Sequence, residues 1–208
     1  MGAPAGLEVR QAGESCSAVQ LVFAAGTGEM GFGTVGAPLA RALATAIPGT
    51  TAHAIPYSTI AEYMMTVQSG GSMAAQYVTA QAARCPSQKF ILSGYSKGAL
   101  VVHYTTLNPA VKSKVVSVLV FGDPLRNIGG AWPINMPKLN KSPRAGNNGE
   151  NIGSFCNAGD MFCNPPGTIF PHIAYPRDGS IEAAARFAAK AAGATTQGEG
   201  ASIMNPMS

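Results

Sequence analysis

The stretch Lys89–His103, KFILSGYSKGALVVH, constrains what this chain folds into more than any other. An apolar run typical of a buried strand stops at Gly94, and a helix-forming pattern starts just after Ser96. Gly94-x-Ser96-x-Gly98 leaves a small residue two places before and two places after a serine. That spacing lets strand and helix approach closely while a tight turn lifts the serine clear of both, which is what a nucleophile needs. An ordinary glycine-containing connection reads the same way, and 25 glycines in 208 residues make the pattern weak by itself. Its setting strengthens it. The helix N-terminus behind Ser96 offers unpaired N–H groups and a positive dipole end to a developing oxyanion.

The rest of the chain alternates in the same manner. Ala18–Ala25 (AVQLVFAA) reads as a strand running into the glycine-rich loop GTGEMGFGTVG, and APLARALATAIPG reads as a helix with a Pro-Gly stop. Thr50–Tyr57 reads as a short strand. Ala61–Arg84 has helical composition interrupted at SGGS, which predicts two helices. Strands are expected at Phe90–Ser93 and Val115–Phe121, with a helix over Lys97–Leu107 between them, and NIGSFCN reads as a last short strand. SIEAAARFAAKAAG is an amphipathic helix over 180–193, with Asp178 or Ser180 as its candidate N-cap. Strands alternating with helices predict an α/β chain, a three-layer α/β/α sandwich on a mostly parallel sheet. A single domain is expected over 15–194, with flexible ends at 1–14 and 195–208 and an extended loop region from Pro124 to Asn151.

Composition narrows the class. Charged residues are only 12% of the chain against 46% hydrophobic ones, which suits a compact extracellular protein. The net charge of +4 comes from scattered lysines and arginines without aromatic interleaving, so no nucleic-acid partner is expected. No apolar run is long enough to span a membrane. The opening MGAPAGLEVRQ lacks the apolar core of a signal peptide, so the chain is expected to be a mature form with an added start methionine. Four cysteines without C-x-x-C pairs favour disulfides over a metal site. Three pairings exist; the short spacing of Cys156 and Cys163 favours a local bridge and leaves Cys16 to Cys85. In the chain-entropy account the long loop is worth about 4 kcal/mol and the short one about 2–3 kcal/mol, and both imply an oxidising, secretory environment.

A catalytic serine needs a base and an acid. His53 lies in an expected strand and reads as structural. His103 stands seven residues along the helix from Ser96, about 10 Å away and too far for direct proton transfer. His172, in the proline-bracketed GTIFPHIAYP, fits the chain order serine, acid, histidine. Two aspartates compete as its partner. Asp123 ends the strand after the serine's helix, and Asp160 lies inside CNAGDMFC, twelve residues before His172. Either orients an imidazole, and position alone leaves them even.

Several segments together resemble the cutinase family of secreted serine esterases. LVFAAGTGEMG resembles its first strand and oxyanion loop, CPSQKFILSGYSKGA its cysteine, strand and serine turn, CNAGDMFC its cysteine-bracketed acid, and PHIAYPRDG its histidine loop. They occur in the family's order from about residue 16 to 193. The resemblance implies a lidless α/β-hydrolase fold. It also implies Ser96, His172 and Asp160 as triad and bridges Cys16–Cys85 and Cys156–Cys163. Thr27 and the N–H of Lys97 are implied as oxyanion donors. The family usually has glutamine where this chain has Lys97, so an ammonium is expected beside the oxyanion, affecting pH dependence or the preferred substrate charge.

The implied chemistry is two-step ester hydrolysis without metal or cofactor, with activity falling as acid protonates His172. Tyr95, Ile169, Phe170 and Ile173 are the expected substrate contacts. Ile169, Phe170 and Ile173 surround His172 and are expected to form an apolar lip for an acyl chain or a polyester surface; packing of the loop is the alternative, and the favoured one for Ile173. The expected protein is a monomer. Its family rival is a carbohydrate acetyl esterase, whose members generally carry more cysteines. A rival of another class is a secreted binding or elicitor protein that keeps the fold without turnover.

Overall fold

The computed structural model describes residues 16–126 and 151–194. The expected flexible ends and most of the region between Pro124 and Asn151 lie outside those residues. Five apolar segments form one sheet: β1 (Val19–Ala24), β2 (Thr51–Ala54), β3 (Lys89–Tyr95), β4 (Val115–Phe121) and β5 (Ile152–Phe155). Their order is β2-β1-β3-β4-β5, and every neighbouring pair is parallel.

Both faces of the sheet are covered, which is why its strands read as continuous apolar runs rather than alternating ones. On one face Leu21, Phe23, Ile91, Leu119 and Phe121 pack against α1 (Gly33–Ala46) and α6 (Ser180–Ala191). On the other, Val22, Leu92, Val118 and Val120 meet α2 (Met64–Arg84) and α3 (Lys97–His103). The short helices α4 (Pro109–Lys112) and α5 (Ile169–His172) complete the set. The chain leaves β1 for β2 on one side, then returns through α2 to β3 on the other. The order therefore reverses between β1 and β3, and a crevice opens beyond the carboxyl ends of those two strands. The glycine-rich loop and Ser96 follow those two ends.

Cys16 is bridged to Cys85 and Cys156 to Cys163. The first bridge fastens the start of β1 to the end of α2; the second closes the loop that contains Asp160.

Among the element ends that differ from expectation, β2 stops at Ala54 rather than Tyr57 and β3 runs from Lys89 to Tyr95, and three helix ends stand out. Helix α1 starts at Gly33, a turn early, because the Glu29 carboxylate accepts from both the N–H and the hydroxyl of Thr34. Helix α3 stops at His103 rather than Leu107. The N-cap of α6 is Gly179, and Asp178 acts from one residue upstream by accepting from Ser180 N at 2.9 Å.

Another difference is larger. Helix α2 runs unbroken for 21 residues through SGGS. Its glycines are contact residues rather than breakers. A Cβ on Gly71 would stand 2.6 Å from the backbone carbon and oxygen of Tyr104, and one on Gly70 would stand 2.9 Å from the Tyr57 ring. Gly71→Ala removes a helix-propensity penalty of about 1 kcal/mol but drives a methyl into backbone, at a cost of about 1–3 kcal/mol. Denaturant unfolding is expected to show a net loss of stability. A more stable variant would mean that α2 and the end of α3 part freely.

Candidate active site

Ser96 sits between β3 and α3 with φ 53° and ψ −117°, the one non-glycine residue at positive φ among those described. Such a backbone costs on the order of 1–3 kcal/mol and persists only where its surroundings over-determine it. Here they do. Ser96 N donates to Phe121 O and Ser96 O accepts from Ala99 N, both at 2.9 Å. A Cβ on Gly94 would collide with Gly98 O, and a Cβ on Gly98 would collide with Ala24 O. The spacing seen in the sequence thus records two close approaches of backbone to backbone.

His172 ends α5 and is buried. Its Nδ1 lies 2.8 Å from Asp160 Oδ2. With a carboxylate as acceptor, Nδ1 carries the proton and Nε2 keeps its lone pair. The Asp160 carboxylate is fully buried and receives four donors. Oδ1 accepts from the N–H groups of Phe162 (2.9 Å) and Cys163 (3.4 Å), inside the bridged loop. Oδ2 accepts from His172 and from the Tyr175 hydroxyl at 2.6 Å. Burial by itself raises the pKa of this carboxyl; the bonds from Tyr175, His172 and Phe162 outweigh it and hold the group below the usual aspartate value. Burial and the Asp160 charge push the Tyr175 phenol up, so it remains a donor.

The competing aspartate is engaged elsewhere. Asp123 is buried, and its Oδ2 lies 2.9 Å from His103 Nε2 while its Oδ1 accepts from Leu125 N. His53 stacks on the Tyr77 ring with centroids 3.6 Å apart, and burial lowers its pKa.

The glycine-rich loop is organised by Glu29, whose carboxylate accepts from Gly26 N at 2.8 Å and from Thr34. Gly28 N donates to Thr59 O at 2.8 Å. Between these two, Thr27 N–H has no protein acceptor among the described residues, and the Thr27 hydroxyl pairs with the Tyr63 hydroxyl at 2.8 Å. Lys97 N–H opens α3, where helix geometry leaves it without an intrahelical acceptor.

Two side chains differ from the sequence reading. Tyr95, expected as a substrate contact, is buried: its hydroxyl donates to His172 O at 2.9 Å and its ring stacks on the imidazole with centroids 5.1 Å apart. It supports the histidine from beneath. The Lys97 ammonium turns away from the oxyanion side and is fully buried, donating to the carbonyls of Ser58, Ile60 and Glu62. Burial lowers its pKa and the Glu62 charge acts against that. Ile169, Phe170 and Ile173, the neighbours of His172 in sequence, are exposed. The sequence reading missed Phe162, whose ring lies 4.4 Å from that of His172, and also Glu29, Tyr63 and Tyr175.

A strained serine at the end of a central parallel strand, with a buried Asp–His pair at the same end, defines an α/β-hydrolase. The cutinase family model matches residues 15–192. Carboxylesterase Culp1 of Mycobacterium tuberculosis is 30% identical over 91% of this chain and 88% of its own length. A cutinase of Botryotinia fuckeliana is 34% identical over 93% and 91%. Among solved structures, Trichoderma reesei cutinase in complex with a phosphonate inhibitor superposes with a TM-score of 0.68 at 27% identity, covering 85% of this chain and 77% of that one. The chain belongs to the cutinase family and is a carboxylic ester hydrolase.

Tyr175→Phe tests the support of Asp160. A carboxyl whose folded pKa is depressed contributes stability that is complete above its unfolded pKa and lost as pH falls through the folded one. Removing the phenolic donor raises the Asp160 pKa, so acid unfolding is expected to begin at higher pH. At neutral pH the variant loses about 1.5–3 kcal/mol, the worth of a hydrogen bond to a charged group. Circular dichroism from pH 7 to 2 measures both; an unmoved acid transition would show that the phenol does not govern this carboxyl.

Proposed function

We propose that the chain is a secreted serine esterase that hydrolyses cutin-like polyesters and short- to medium-chain acyl esters. The observation that carries this reading is Ser96, held at positive φ just after β3, whose last residue, Tyr95, stacks on His172. Ser96 Oγ attacks the ester carbonyl as His172 Nε2 takes its proton. The tetrahedral oxyanion lies between the N–H groups of Thr27 and Lys97. Its collapse expels the alcohol, which leaves with the proton from His172. Water deprotonated by the same nitrogen then cleaves the acyl-enzyme and releases the acid. Asp160 fixes the tautomer and steadies the imidazolium.

The substrate class is supported by the apolar side chains left in water around these groups. Phe170 is 74% exposed, with Ile169 and Ile173 beside His172. Met30, Ile60, Met64 and Met65 are also exposed, on the segments that adjoin Thr27. Apolar surface of this kind is recovered, at about 25 cal/mol per Å², only when something apolar covers it. An acyl chain or a polyester surface does so. Two disulfides support secretion. The names of the relatives, carboxylesterase and cutinase, accord with the same reading.

Initial rates on p-nitrophenyl esters from acetyl to palmitoyl, with Ser96→Ala alongside, test the proposal. Turnover strongest on short and medium chains is expected, with kcat lost by about 10⁶-fold in the variant. A phosphonate ester is expected to label Ser96. Activity confined to acetyl esters would point to a carbohydrate esterase, and neither labelling nor turnover would point to a binding protein.

A further inference from the structure

The lysine beside the nucleophile is buried with an incomplete electrostatic explanation. No carboxylate is in contact with its ammonium among the described residues, and taking an ammonium out of water costs several kcal/mol even after relaxation. What the ammonium does have is three backbone carbonyls for three N–H donors: Ser58 O at 3.0 Å, Glu62 O at 2.8 Å, and Ile60 O. The rings of Tyr57 and Tyr63 also face it, with centroids 5.6 and 5.2 Å away. These acceptors are alternate residues of one irregular segment, joining β2 to α2.

The same segment grips the glycine-rich loop from its other side. Thr59 O accepts from Gly28 N, and Thr59 Oγ1 donates to Glu29 O, each at 2.8 Å. The Tyr63 hydroxyl pairs with the Thr27 hydroxyl. Between Ala54 and Met64 this stretch belongs to no helix or strand. Its start is held by Ile55 N, which donates to Phe23 O, and by the buried Tyr57, whose hydroxyl donates to Ala25 O; beyond Tyr57, the bonds from Gly28, Thr59, Tyr63 and Lys97 tie it to the loop and to α3.

We propose that Lys97 is a positioning residue: its ammonium pins the 58–62 segment to the helix that begins at the nucleophile, and through Thr59 and Tyr63 that segment holds the Thr27 donor in place. One residue then serves the oxyanion twice, directly through its backbone N–H and indirectly through its side chain. The inference rests on the assignment of Ser96, Thr27 and Lys97 N–H made above, but its structural half does not depend on turnover.

Lys97→Met keeps the length and apolar stem of the side chain and removes all three donors; Lys97→Gln keeps two donors. Amide hydrogen exchange reads the tie without catalysis. Protection of Gly28 N–H is expected to fall about tenfold or more in Lys97→Met, with the amides of β3 and β4 unchanged. On p-nitrophenyl acetate, kcat is expected to fall about 10- to 100-fold, less than or equal to the loss of one oxyanion donor, with KM moved less than about threefold. Lys97→Gln is expected to recover most of that loss. Unchanged Gly28 protection in Lys97→Met overturns the inference whatever the activity, and so does an unchanged kcat in Lys97→Met once the wild-type enzyme is shown to work through Ser96. If Lys97→Met does not fold, a cycle of Lys97→Ala, which also removes all three donors, and Tyr63→Phe decides. Losses in kcat that are less than additive support one shared route to Thr27, and fully additive losses overturn it.

Discussion

Everything at this site depends on two missing side chains. With Gly94 and Gly98, the backbones of β1, β3 and α3 come within a distance that any Cβ would forbid. That contact forces the turn at Ser96 into positive φ and keeps it there, because relaxing the serine would mean separating helix from sheet. The sheet order adds the second requirement. Since β1 and β3 are neighbours at the point where the winding reverses, the loop after β1 and the serine after β3 open into one crevice. Strain at one residue is thus maintained by packing across the whole centre of the sheet.

The same turn sends Lys97 in two directions. Its N–H remains at the start of α3, free of a helical acceptor, while its side chain runs beneath the segment that precedes α2. A cation close to an oxyanion site reads at first as an electrostatic participant. The three carbonyls around it argue for a mechanical one, since an ammonium saturated by backbone dipoles is held rather than presented. Glu29 plays the matching role on the other loop, by gathering Gly26 and Thr34 around one carboxylate. Both loops are shaped by single charged residues that do not face the reacting atoms.

How much of this was legible follows from the range of each interaction. The serine turn, the Cys156–Cys163 bridge and the alternation of strands with helices are local or periodic, and they are open in the sequence; the order of the strands in the sheet is not. The assignment of Asp160 over Asp123 was not legible from spacing and came from the family likeness. The reason lies in packing, because Asp123 is already committed to His103. The continuity of α2 through SGGS was hidden for a related cause. Glycine weakens a helix by propensity, yet here it is the residue that lets Tyr104 lie against the helix. Tyr95, expected among the substrate contacts, is buried instead at the end of β3, where its hydroxyl bonds to the backbone of His172. No sequence pattern marked Tyr175 or Tyr63, whose hydroxyls act on residues 15 and 36 positions away.

The seat of the histidine shows how the two Asp–His pairs stay separate. Gly122 follows the last residue of β4 with φ 57°, and a Cβ there would stand 2.6 Å from His172 Cε1 and 2.7 Å from Nδ1. The imidazole therefore occupies the space that a side chain at 122 would fill. The next residue, Asp123, lies at the strand end where an acid for this histidine was a plausible alternative, but it is bonded to His103 and to Leu125 N instead. With that carboxylate committed, orientation of the imidazole falls to an aspartate held by a disulfide loop and two backbone N–H groups. Gly122 removes the obstacle, Asp123 does not compete, and the tautomer of His172 is left to Asp160 alone.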